Sequence, residues 1–458
     1  MFGHTRRRLA GATTSLTPLD VFYGWAKTID CTWYFQEQID PIRLKQTLQR
    51  FRRLYPAFSS KVRKQSTHPV HWTAVFLSPL HNHQLHHLDE DIPLDITTST
   101  EDLTVQEIAN HAHKTTHLTV PTVPTPSCKD IMRGKTETMH VKLVHYKHGG
   151  CSLGIAMSHC IVDGKGLHLV ASELGRLFRN DALLGLETDR GVLNMPATTE
   201  IEIDLGTRTP TERQGLGWNE IGGNLLWWLF TRLHSAHYIR PPRACITTGT
   251  APTSHLVHRI LQAFPTEFFK GTDPQHTHNP VVQLCASVDV RHILPRHLSM
   301  SSSTLNMFTG NAVYFVHATS LLSEVDICFE KLKETISTAD YVHKYQRYVA
   351  QFCQDGQSFT NVAPIEDDDG RTTQVFVNSQ LSIVDDGCVR YNMFDAGPCL
   401  RILPGPSDAI QIVPSMHNKD AVEILVNIDA RVRLSKKNWI EEQKSQQKIF
   451  LSGESDYN

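Results

Sequence analysis

"AMSHCIVDGKG", residues 156–166, joins an apolar run to a histidine, His159, an acid four places on, Asp163, and a glycine, Gly164. The run before it, "CSLGIAMS", is apolar enough for a buried strand, and "GLHLVASELGRLF" (166–178) after it has helical periodicity. A histidine at such a junction stands on a rigid element and can still face a cleft. Near neutral pH an imidazole takes a proton from a hydroxyl or an amine, which makes His159 a candidate general base. The plainer alternative is a half-buried histidine satisfied by its neighbours, and spacing alone does not separate the two. His87 and Asp91 in "HHLDED" (86–91) are spaced the same way. They sit in a polar, histidine-rich run with no apolar strand before and no glycine after, and are read as a solvated loop. His81, His83, His86 and His87 come with no thiol or carboxylate geometry that would define a zinc site, so no metal is expected.

Working outward, "TMHVKLVHY" (138–146) alternates apolar and polar residues and meets the run before His159 across Gly149-Gly150. The pair is predicted to be an antiparallel hairpin. "DCTWYFQEQI" (30–39) also alternates as a strand. "PIRLKQTLQRFRRLYP" (41–56) has helical spacing, with Ile42, Leu44, Leu48 and Phe51 assigned to one face, and Tyr55-Pro56 is predicted to stop it. Beyond residue 250 the strand-like runs are "NPVVQLCASVDV" (279–290), "GNAVYFVHA" (310–318), "TQVFVNSQLSIV" (373–384), "AIQIVPSMH" (409–417) and "AVEILVNID" (421–429), with a helical stretch over about 320–353. This order fits an α/β (mixed α+β) chain.

At 458 residues the chain exceeds one ordinary core, so two domains of roughly 200 residues are expected. The Thr-, Gly- and Pro-rich texture of 191–250 marks the connection, leaving an N-terminal domain over 1–190 and a C-terminal one over 251–458. Inside the connection, "NEIGGNLLWWLFTRLH" (219–234) reads as a short Trp-rich helix on a domain surface, with an exposed lid or membrane-interface patch as the alternative. With 45 Lys+Arg against 47 Asp+Glu there is no basic field for nucleic acid, and a small-molecule ligand or a protein partner is expected instead. The ten cysteines are scattered singly, as in a reducing compartment. The N-terminus lacks the apolar core of a signal peptide, and no run reaches the roughly 18 apolar residues of a membrane span. A cytoplasmic protein without a transmembrane segment is the expectation.

"SHCIVDGKG" resembles the HXXXD-G motif of the BAHD acyl-CoA-dependent acyltransferases, and other stretches resemble that family in the same order. "LTPLDVFYGW" (16–25) is similar to its opening segment, and "LKQTLQRFRRLYPAFSSKVRK" (44–64) to its first helix and following turn, with Ser59 and Ser60 in place of the turn's glycine. "SVDVRHILPR" (287–296) resembles its VD-x-R strand, "MFTGNAVYF" (307–315) its YFGNAV segment, and "DAVEILVNIDA" (420–430) its closing strand. The second signature, DFGWG, is degraded to "FDAGPC" (394–399), where only Asp395 and Gly397 match in the motif's turn. The preceding strand has Ser379-Gln380 where relatives carry Ser-Trp.

The resemblance implies two pseudo-symmetric chloramphenicol-acetyltransferase-like domains, each a mixed sheet flanked by helices, with a channel between them. It implies transfer of an acyl group from acyl-CoA to a hydroxyl or amine of a small-molecule acceptor, with His159 as base. Asp163 would turn away and pair with Arg291, and Gly164 would allow the sharp turn into the helix. Asn311 and Ser379 are candidates to donate to the oxyanion in place of the missing tryptophan. Acyl-CoA is then a co-substrate, no cofactor is bound permanently, and a monomer is expected. Two other readings compete: a condensation-domain-like enzyme, whose motif has a further histidine where Ser158 stands, and a catalytically inactive binding or regulatory protein on the same scaffold.

Overall fold

The computed structural model describes residues 13–17, 20, 23–24, 28–64, 83–87, 91–100, 104, 126–193, 243–248, 257, 261, 280–291, 293, 302–336, 338, 372–379, 394, 399–402, 409–414 and 422–427. The Trp-rich segment 219–234 and the pair Asp395 and Gly397 lie outside the described residues.

Strand β1 is Thr13–Ser15, β2 Thr28–Phe35, β3 Ser60–Lys64, β4 His83–His87, β5 Leu94–Ser99, β6 Met139–Tyr146 and β7 Cys151–Ser158. The hairpin β6–β7 forms with Met139 opposite Met157 and His145 opposite Cys151. Its turn needs left-handed backbone twice, and glycine supplies it at Gly149 (φ 92°) and Gly150 (φ 75°). All eight residues of β7 are buried, so this strand lies between layers on both faces, which is why its sequence is a continuous apolar run. It is the centre of a five-stranded sheet, because β2 pairs on its other side and β5 runs parallel along β6. The fifth strand comes from the far end of the chain: β12, Cys399–Ile402, pairs antiparallel with β2. The N-terminal sheet therefore cannot be completed by residues 1–190 alone.

Helix α1, Pro41–Leu54, begins with Asp40 accepting from the Ile42 amide (2.9 Å) and with proline in its first turn. It stops at Tyr55, whose α conformation is disfavoured by the following Pro56. Its buried face is Leu44, Thr47, Leu48 and Phe51. Ile42, assigned to that face from its spacing, is instead 69% exposed. Two residues before Leu44 it lies about 200° around the helix, on the opposite side. Helix α2 is the short Cys128–Met132, and α3, Gly164–Arg179, packs against α1. Helix α3 ends on Asn180 in left-handed conformation (φ 62°).

The C-terminal half forms a six-stranded mixed sheet in the order β10-β9-β11-β13-β14-β8. The strands are β8 Arg243–Thr248, β9 Val281–Asp289, β10 Val313–Leu321, β11 Thr372–Ser379, β13 Ala409–Pro414 and β14 Val422–Asn427. All five strand-like runs noted beyond residue 250 thus appear in it. Strand β8 arises inside the stretch 191–250 and closes one edge of this sheet against β14. Helix α4 is Ser302–Asn306, and α5, Val325–Ile336, packs on β10. Two separate apolar cores result, one around Trp33, Phe51, Leu153 and Leu174, the other around Val282, Leu284, Val316, Val375 and Ile410.

The histidine-rich run is also structured, which corrects its reading as a solvated loop. His83–His87 is the central strand of the small sheet β1-β4-β3. Asp91 accepts from Gln49 (3.0 Å) and pairs with Arg52 (3.6 Å), so it is engaged with α1. Among the described residues no helix is long and apolar enough to cross a membrane.

Candidate active site

His159 to Asp163 is the loop that carries the chain from the end of β7 into α3, and both halves of the molecule hold it. The His159 side chain is nearly buried, at 7% exposure, and its ring lies almost parallel to that of Tyr23 (centroids 4.6 Å apart, 14° between planes). Its carbonyl accepts from Asn311 Nδ2 at 2.7 Å. Further along, the Ile161 carbonyl accepts from Arg190 Nη2 at 2.7 Å.

Asp163 is the N-cap of α3 and is fully buried. Its Oδ1 accepts from the Gly166 amide (2.8 Å) and from Arg291 Nη2 (2.9 Å), and its Oδ2 from the Ala312 amide (2.9 Å). Both oxygens are thus spent on N–H groups, and the carboxylate faces the protein rather than the front of the loop. Burial pushes the Asp163 carboxyl up from its ordinary value, and the Arg291 guanidinium pulls against it. With three donors converging on it, the ionised form is the one this arrangement suits. Arg291 is held in turn by the Phe308 carbonyl (3.0 Å), the Gly310 carbonyl (2.8 Å) and Asp289 (2.9 Å). Burial disfavours its charge, but the two carboxylates raise its affinity for the proton and keep it cationic.

A second buried ion pair stands on the other side of the loop. Asp20 (1% exposed) accepts from Asn311 Nδ2 (2.9 Å) and from Thr17, and lies 3.7 Å from Arg190 Nη1. Asp20, Tyr23, Arg190 and Asp289 were not singled out from the sequence. Asp289 had a signal, since "VDVR" places it two residues before Arg291. Asp20 lies in "LTPLDVFYGW", which is marked only as a resembling segment, Tyr23 in the same stretch carries no mark of its own, and Arg190 opens a short 3-10 turn, Arg190–Leu193, that leaves no pattern in the sequence.

One of the residue roles needs correction. Asn311 was a candidate oxyanion donor, but its side-chain N–H groups are spent on Asp20 and on the His159 carbonyl. Gly164 is the first residue of α3, directly after Asp163 in extended conformation. The glycine that matters here is Gly166, where a Cβ would run into the Thr309 carbonyl of the other half. Gly166→Ala is expected to lower stability by about 1–3 kcal/mol in chemical denaturation, because overpacking against backbone outweighs alanine's better helix propensity. Ser379 ends β11, in the C-terminal sheet.

Cys160, next to the histidine, is a possible rival nucleophile. Burial pushes its thiol up to about 12, so it is not a thiolate at neutral pH. Among the described residues, no group of three His, Cys, Asp or Glu side chains could hold a metal ion.

Solved structures share this architecture. TRI101 of F. sporotrichioides, complexed with coenzyme A and T-2, matches with a TM-score of 0.62 over 95% of this chain and 97% of its own, at 12% identity. The fold is that of the chloramphenicol-acetyltransferase-like enzymes. TRI101 of F. graminearum, complexed with coenzyme A and deoxynivalenol, matches with a TM-score of 0.62 over 93% of this chain and 97% of its own, also at 12% identity. Vinorine synthase matches at 0.58 over 94% and 92%, at 12% identity. TRI101 and vinorine synthase are both BAHD acyltransferases. No protein-family model matches the sequence, and no curated relative does.

Proposed function

We propose that the protein is a divergent BAHD-type enzyme that moves an acyl group from acyl-CoA to a hydroxyl or amine of a small-molecule acceptor. The observation that carries this reading is the loop 159–163: a histidine at the end of a buried strand, fixed from both halves of the molecule, with its acid turned into a buried ion pair. The fold supports it, since solved examples of that fold are complexed with coenzyme A.

In this mechanism neutral His159 takes the proton of the acceptor hydroxyl or amine as its oxygen or nitrogen attacks the thioester carbonyl carbon. The resulting tetrahedral oxyanion collapses, the carbon–sulfur bond breaks, and the imidazolium returns its proton to the departing CoA thiolate. No acyl-enzyme is required, because a thioester is already activated and the two substrates need only be held together. Asp163 and Arg291 brace the loop that carries the base. Ser379 is the candidate donor to the oxyanion. The two domains are residues 1–190 completed by the strand Cys399–Ile402, and the remainder of 251–458 with the strand Arg243–Thr248 on its edge; the enzyme works as a cytoplasmic monomer with no permanently bound cofactor.

The test is release of free thiol from a panel of acyl-CoAs mixed with hydroxyl and amine acceptors, comparing wild type with His159→Ala. Release by the wild type well above the variant is expected. Equal rates for every pair would overturn the reading.

A further inference from the structure

We propose that Tyr23 is a positioning residue for His159, setting the plane of its imidazole through a stack anchored in the C-terminal half. The inference rests on the proposed role of His159 as base. A histidine ring turns about a broad, roughly two-fold torsion, so its own rotamer preference leaves its plane loosely defined. That plane decides the direction in which either ring nitrogen presents its lone pair. At 4.6 Å and 14° the Tyr23 ring covers one face of the imidazole and removes that freedom.

Tyr23 is itself held in place. It is 2% exposed, and its hydroxyl donates to the carbonyl of Val313, the first residue of β10, at 2.7 Å. Two residues earlier, Asn311 donates both to the His159 carbonyl and to Asp20. Asp20 and Tyr23 are helical and three residues apart, hence on one face. The contacts close a circuit: His159 backbone to Asn311, Asn311 to Asp20, Tyr23 on the same face as Asp20 to the His159 ring, and the Tyr23 hydroxyl back to the strand that follows Asn311. One short piece of the C-terminal half, residues 311–313, therefore governs both the backbone and the ring of a residue from the N-terminal half. The orientation of the base depends on the two halves being docked.

The experiment compares Tyr23→Phe, which keeps the stacked ring, with Tyr23→Leu, which removes it, in the full chain. On an acyl-CoA and acceptor pair turned over by the wild type, Tyr23→Leu should lower kcat by about 10- to 100-fold, the scale of a misplaced catalytic group, with KM changed less than about twofold. Tyr23→Phe keeps the ring on His159 but loses its tie to the Val313 carbonyl, so kcat should fall by a smaller factor, about threefold. Modification of His159 by diethyl pyrocarbonate, read by peptide mass spectrometry, should be several-fold faster in Tyr23→Leu and only slightly faster in Tyr23→Phe. Wild-type kcat and wild-type modification rate in Tyr23→Leu would overturn the proposal, as would equal losses in the two variants. A protein without acyl-transfer activity would sink the enzymatic reading alone, because the modification rates still decide whether Tyr23 holds the ring.

Discussion

Asp163→Asn is expected to lower the stability of the protein by about 3 kcal/mol, at the lower end of what breaking a buried ion pair costs. The chemistry is donor against donor. Asp163 receives N–H groups on both oxygens, Gly166 and Arg291 on one and Ala312 on the other. Whichever way an asparagine amide is turned, its NH2 faces at least one of these donors, and Arg291 loses a counter-charge while 2% exposed. Asp289, 2.9 Å from the same guanidinium, remains and limits the loss. Helix capping is spared, because asparagine caps as well as aspartate. For a cooperative unit of about 200 residues the effect corresponds to roughly 6–12 °C in Tm. Differential scanning calorimetry measures it directly. Turnover should fall along with stability, since the loop carrying His159 loses its brace. A variant with wild-type Tm and no activity would instead place Asp163 in the chemistry.

His159→Ala is expected to lower kcat by about 10²–10⁴-fold, the usual worth of a general base. The loss in stability should be small by comparison, about 1 kcal/mol for the ring stack on Tyr23. The sign of the pH dependence follows from the role: a base must be neutral to accept a proton, so wild-type kcat/KM should fall as the solution is made acidic. That acid limb should vanish in the variant, whose residual rate comes from holding the two substrates together. Rates measured across pH for both proteins check both points. Persistence of the same acid limb in His159→Ala would assign it to another group.

The elements were largely legible in the sequence, since each rests on contacts between near neighbours. Periodicity located α1, α3 and the hairpin β6–β7, and Pro56 and the Gly149-Gly150 pair punctuated them where local backbone sterics demand. Ile42 shows the limit of that signal, because an apolar residue near the start of a helix need not belong to the buried stripe. His83–His87 shows another: strand β4 is stabilised by its partners β1 and β3, not by its own polar sequence.

The sequence by itself determined the local frame of the candidate site: an apolar strand, a histidine, a turn and a helix with an acid at its cap. These follow from interactions within a few residues, which leave a pattern in the chain. Only the tertiary structure decided what holds that frame. The bond from Asn311 to His159 spans 152 residues, that from Arg291 to Asp163 spans 128, and the Tyr23 ring reaches His159 from near the other end of the N-terminal half. Such contacts leave no periodicity, and the same side chains would read as ordinary surface or strand residues in isolation. Burial makes the difference. Once Asp20, Asp163, Arg190 and Arg291 are enclosed, their charges must find one another, and in doing so they fix the histidine between them.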